Sequence, residues 1–103
     1  MASSKEYLEF ILEQCPDLTA RAMMGEYLLY YGGKVVGGIY DNRLLVKPTP
    51  SASARMPEAP RQLPYPGAKE MLLVENPEDR AFLRQLFEAM QDELPPPKKK
   101  KLP

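Results

Sequence analysis

Apolar residues recur along this chain in two rhythms. Tyr7, Leu8, Ile11, Leu12 and Cys15 fall at helical spacing on one face. Ser3 or Ser4 can cap that helix, Ser3 with Glu6 fits a capping box, and Pro16 stops it. The same rhythm returns near the other end, where Phe82, Leu83, Leu86, Phe87 and Met90 make a continuous apolar stripe. Asn76-Pro77 predicts the start of that helix and Leu94-Pro95 its end. Thr49-Pro50 opens a shorter helix through Met56, with proline at the first helical position.

Between the first two helices the pattern changes to β-type runs. Thr19 to Met24 reads as a short strand closed by Gly25. Tyr27 to Tyr31, Lys34 to Tyr40 and Arg43 to Lys47 follow, separated by Gly32-Gly33 and Asp41-Asn42. Both pairs tolerate the positive φ of tight hairpin turns, and Pro48 ends the third run because proline cannot continue the ladder. Residues 57–66 hold four prolines and predict a loop-rich connection. Tyr65-Pro66-Gly67 predicts a type II turn leading into a strand at Glu70 to Val74, with Leu63 and Tyr65 beginning its partner. The fold class is therefore α+β: an antiparallel sheet with a three-strand meander, helices packed on one face, in the order α-β(3-4)-α-β(1-2)-α.

Two-residue turns set the register of the meander, so its faces can be assigned. Tyr30 pairs with Val35 and Leu28 with Gly37; Ile39 pairs with Leu44 and Gly37 with Val46. Leu28, Tyr30, Val35, Ile39, Leu44 and Val46 then form an apolar core face. Tyr27, Leu29, Tyr31, Lys34, Val36, Tyr40, Arg43, Leu45 and Lys47 form the other, with three tyrosines and three cations. That second face reads as a protein interface, as a plain solvent-facing surface, or as a platform for nucleic-acid bases. Gly37 and Gly38, lying mid-strand, mark a bulge, strong curvature or the close approach of another chain.

Composition narrows the chemistry. A chain of 103 residues holds one domain, here residues 1–94, followed by a Pro/Lys tail at 95–103 that reads as extended and disordered. Lys plus Arg and Asp plus Glu both total 14, so no overall field draws the protein to nucleic acid or membrane. There is no histidine and only one cysteine, Cys15, which removes His-based nucleophilic chemistry, internal disulfides and the usual zinc sites. Cys15 reads as a small buried hydrophobe. No secretion signal and no apolar run of the roughly 20 residues a bilayer needs is visible, which points to the cytoplasm. Glu26 and Asp41 come nearest to acid–base candidates, yet Asp41 is the residue type that a tight turn prefers. The glycines join or lie within strands and make no phosphate cradle. No catalytic, cofactor-binding or metal-binding residue is expected. Lys98 to Lys101 reads as a solvated tail or, alternatively, as an import signal or anionic-surface anchor.

Arg21-Ala22-Met23-Met24-Gly25-Glu26-Tyr27, then Gly33-Lys34, Ile39-Tyr40-Asp41 and Arg43-Leu44-Leu45-Val46-Lys47 resemble the TfoX N-terminal domain family, and Gly67-Ala68-Lys69-Glu70-Met71 continues the likeness. The resemblance covers roughly residues 5–94. It implies a secretion-chaperone-like α-β(3)-α-β(2)-α architecture and a link to transcriptional regulation of competence. Full-length members carry a second, C-terminal domain, so the expectation here is a stand-alone N-terminal domain. Within the motif of Arg21, Met23, Met24 and Gly25, the arginine either presents a guanidinium to a partner or pairs with a helix carboxylate and stacks on a tyrosine. Met23 and Met24 read as a buried pair, core filler on one side and adaptable interface on the other.

Together these readings favour a non-enzymatic protein-interaction module. Its expected face is Tyr27, Tyr31, Lys34, Tyr40, Arg43 and Lys47, its partner a protein, with sheet-face homodimerisation the simplest form. The alternative is a nucleic-acid-binding regulator using the same face and the lysine tail. No cofactor and no membrane association are expected.

Overall fold

The computed structural model describes residues 3–95. Its elements run α1 (Lys5–Gln14), β1 (Leu18–Met23), β2 (Glu26–Tyr31), β3 (Lys34–Tyr40), β4 (Arg43–Val46), α2 (Pro50–Arg55), β5 (Arg61–Gln62), β6 (Met71–Leu73) and α3 (Arg80–Gln91). The six strands form one sheet, ordered β1-β2-β3-β4-β6-β5, with every neighbouring pair antiparallel. The α+β class and the order of elements agree with the pattern of the sequence. The partner of β6 differs: it is the two-residue β5, ahead of Leu63 and Tyr65.

Local chemistry explains most boundaries. Ser4 Oγ accepts from the Tyr7 amide at 3.1 Å, and Thr49 Oγ1 accepts from the Ala52 amide at 3.2 Å with Pro50 behind it. Such caps satisfy amides that have no partner inside the helix. For α3 the cap is Asp79, whose Oδ1 accepts from the Phe82 amide at 3.0 Å, three residues beyond the expected Asn76. Asn76 instead closes a turn before the helix, its carbonyl accepting from the Asp79 amide at 3.1 Å.

Three hairpins of the sheet turn on residue pairs that are both left-handed: Met24 and Gly25 (φ 51° and 87°), Gly32 and Gly33 (60° and 82°), Asp41 and Asn42 (54° and 56°). This is the turn whose twist matches that of paired strands. The Tyr65–Gly67 turn is also formed, with Gly67 at φ 88° and the Ala68 amide donating to the Tyr65 carbonyl at 3.1 Å.

One departure reorganises the faces. Tyr30 pairs with Val35 as expected, but Leu28 pairs with Gly38 and Leu29 with Gly37, so Val36 is an extra residue opposite the Leu29–Tyr30 step. A bulge of this kind inverts the alternation of one strand relative to its neighbour. The inner face therefore carries Leu29, Tyr31, Val36, Ile39, Leu44 and Val46, all in one cluster with Ile11 of α1, Ala52 of α2 and Leu83, Leu86, Phe87 and Met90 of α3. Leu28, Tyr30 and Val35, expected in the core, lie on the opposite face and are only partly buried. Gly37 is obligatory here, because an added Cβ would run into the Leu45 carbonyl oxygen and come within 2.8 Å of Val46 Cα.

The outer face is not bare. Tyr40 and Leu45 are 5% and 0% exposed yet belong to no part of the main core. Residues 63–70 arch back over them: Arg43 Nη2 donates to the Leu63 carbonyl at 3.3 Å, and the Tyr65 ring lies 6.2 Å from that of Tyr40. The Tyr40 ring in turn lies on Gly38, where an added Cβ would stand 2.6 Å from Cε2. Among the described residues no helix is long and apolar enough to cross a membrane.

Candidate functional site

Tyr27, Tyr31, Lys34, Tyr40, Arg43 and Lys47 do not share a face. The first three belong to the helix side. Tyr27 packs against the core, and Tyr31 is buried with its hydroxyl donating to Glu88 Oε2 at 2.8 Å. Burial and that bond push the Tyr31 hydroxyl up to about 12. Lys34 Nζ donates to the Gln91 carbonyl at 2.7 Å, placing a cation at the negative end of α3. All three therefore lie on the helix side of the sheet, and the extra residue Val36 is the reason.

Tyr40, Arg43 and Lys47 remain on the outer face. Arg43 is a fastener: its guanidinium donates to the Tyr40 carbonyl (3.0 Å), to Gln62 Oε1 (2.8 Å) and to the Leu63 carbonyl. It thereby ties β4 to β5 and to the start of the arch. Between arch and sheet lies a groove of about 400 Å³, with Leu28, Val35 and Met71 as apolar lining, Tyr40 and Tyr65 as aromatic walls, and Lys47, Lys69 and Glu70 as its charged groups. A volume of this order suits a small ligand or a few side chains of a partner.

Of the acid–base candidates, Glu26 is held by structural bonds, and Asp41 is an exposed turn residue that contributes only its amide. Glu26 Oε1 accepts from the Ser3 hydroxyl at 2.6 Å and from the Asp41 amide at 3.1 Å. Ser3 Oγ also accepts from the Asn42 amide at 3.1 Å, while Asn42 Oδ1 accepts from the Ser4 amide at 2.8 Å. This latch joins the start of α1 to two hairpin turns, and it replaces the expected Ser3–Glu6 capping box. Cys15 is buried, and burial pushes its thiol up, so it stays protonated at neutral pH. Among the described residues no three carboxylates or cysteines converge as metal ligands do.

The Arg21–Gly25 motif maps to edge strand β1 and its turn. Gly25 supplies the positive φ, but Met24 is 97% exposed and itself left-handed. Met23 and Met24 are thus not a buried pair. The Arg21 side chain is exposed, with no hydrogen bond or ion pair among the described residues, so the expected lock onto a helix carboxylate is not formed. Lys98 to Lys101 lie outside the described residues.

Leu28, Val35, Met71, Tyr65 and Lys69 were not predicted as site residues. Leu28 and Val35 were hidden by the bulge. The turn at Tyr65–Gly67 was legible, but nothing local in it says that it folds back over the sheet.

A six-stranded antiparallel sheet with helices on one face and an arched groove on the other defines a small α+β domain of the open-sheet kind. The family model of the TfoX N-terminal domain matches residues 11–93, and the chain belongs to that family. It is similar to an uncharacterised 12.7 kDa protein from the trpE 5′ region of Spirochaeta aurantia, with 36% identity over 105 residues, covering 98% of this chain and 91% of the relative. No solved structure matches the chain significantly.

Proposed function

We propose that the chain is a non-enzymatic protein-interaction module that meets its partner on the outer face of the sheet, around the groove beneath the arch. The observation that carries this reading is the pairing of an apolar groove with exposed large apolar residues beside it: Tyr65 is 52% and Leu63 46% exposed. Exposed aromatic and apolar groups around a concave apolar floor are the usual anchors of a protein interface. The engagement of the Glu26 carboxylate in the latch, with Asp41 placed as an exposed left-handed turn residue, supports a non-enzymatic role. Family membership makes regulation of transcription or competence the process in which we would place such a module. A second copy of the chain is one partner this face could take.

The nucleic-acid alternative is weakened by the burial of Tyr31 and the inward packing of Tyr27, which leaves fewer aromatic faces for bases to stack on.

The test is affinity capture from the source cell, comparing the wild-type protein with Val35→Asp and Tyr65→Ser, each shown to be folded by circular dichroism. A specific protein retained by the wild type and lost from both variants is expected. Identical capture profiles from all three would overturn the reading, and light scattering on the purified wild type tells a second copy from a foreign partner.

A further inference from the structure

We infer that the groove selects an acidic partner segment, one that lays an apolar side chain on Leu28, Val35 and Met71 and presents a neighbouring carboxylate to Lys47 and Lys69. This rests on the reading of the outer face as a protein-binding surface, and adds the chemistry of what binds.

Three observations converge on it. First, the charge at the groove is unbalanced: Lys47 and Lys69 line it against the single acid Glu70. Neither lysine has a hydrogen-bond or ion-pair partner among the described residues, whereas Arg43 and Lys34 are hydrogen-bonded elsewhere. Lys47 is also partly buried, so a carboxylate placed there meets a cation already stripped of some water.

Second, Tyr40 is 5% exposed, lines the groove, and its hydroxyl has no hydrogen-bond partner among the described residues. No fully buried side-chain polar atom among them lacks a partner. The Tyr40 hydroxyl therefore keeps some exposure to solvent. Desolvation, with the nearby Tyr65 and Glu26, pushes that hydroxyl up, so it stays protonated and is available as a donor. An acceptor arriving with the partner would use it.

Third, the floor is apolar and the space is small. With about 400 Å³ the groove has room for a few side chains of a partner. The selection is thus for a short acidic-apolar segment, by charge complementarity at the lysines.

The experiment is a titration of the whole chain by amide-resolved NMR with two capped peptides, acetyl-Glu-Leu-Glu-amide and acetyl-Lys-Leu-Lys-amide. The acidic peptide is expected to shift the signals of Leu28, Val35, Tyr40 and Met71 saturably, with affinity on the order of millimolar. The lysine peptide is expected to bind about fivefold more weakly. Lys47→Glu with Lys69→Glu should reverse the preference, and Tyr40→Phe should weaken the acidic peptide alone. Equal binding of the two peptides, a preference unchanged in the double variant, or no saturable shift from either at about 20 mM would overturn the inference. A third arm uses 4-phenylbutyrate: if it saturates the groove and the acidic peptide does not, the occupant is a free amphipathic acid and the protein segment is excluded. None of these failures touches the capture experiment, which judges the interaction face by itself.

Discussion

Met24 pays a conformational cost without a packing return. A left-handed φ of 51° is unfavourable for a residue with a Cβ, and the side chain is 97% exposed. Asparagine suits the position in a two-residue hairpin, so Met24→Asn is expected to raise stability by about 1 kcal/mol, read as a higher urea midpoint at unchanged slope. Tyr31 gives a pH test. Its folded-state value of about 12 lies above the ordinary 10, so the stability it contributes is intact below pH 10 and is lost as pH rises toward 12. Thermal melts across that window should fall less steeply for Tyr31→Phe than for the wild type. The same substitution should cost about 1 kcal/mol at neutral pH, since it removes one hydrogen bond and frees an exposed Glu88 to be resolvated.

At the scale of elements, the latch and the bulge each turn on one residue. Ser3→Ala removes a hydroxyl that both donates to Glu26 and accepts from the Asn42 amide, and it should cost roughly 1–2 kcal/mol. Hydrogen exchange at Asn42 should quicken in that variant, while amides of α3 keep their protection. Gly37→Ala has nowhere to put its methyl but the backbone of β4, so a loss of about 2 kcal/mol or more is expected from denaturant unfolding. The elements themselves were legible, because caps, prolines and turn pairs are local signals: Pro16, Pro48, Thr49-Pro50 and Gly32-Gly33 all sit where structure changes. The start of α3 was not, since Asn76 and Asp79 are both good caps and only the turn between them decides.

At the scale of the whole molecule, the core was partly legible and the site mostly was not. Ile39, Leu44, Val46 and the α3 stripe were assigned to the interior correctly, because no irregularity separates them from their neighbours. Leu29, Tyr31 and Val36 were assigned to the wrong side. Gly37 and Gly38 hinted at a bulge, but alternation alone cannot say where the extra residue falls. The groove was invisible for a different reason: it is built between β2, β3 and a loop some thirty residues later in the chain, and no spacing rule reaches that far. The bulge also makes β3 a phase shifter between two readings of one hairpin. Deleting Val36 would restore simple alternation and leave the chain a choice between drawing Lys34 out of its place on α3 and turning Ile39 away from the helices. Relatives that differ in length at this point would therefore differ in which tyrosines they show to the outside, even with every other residue unchanged.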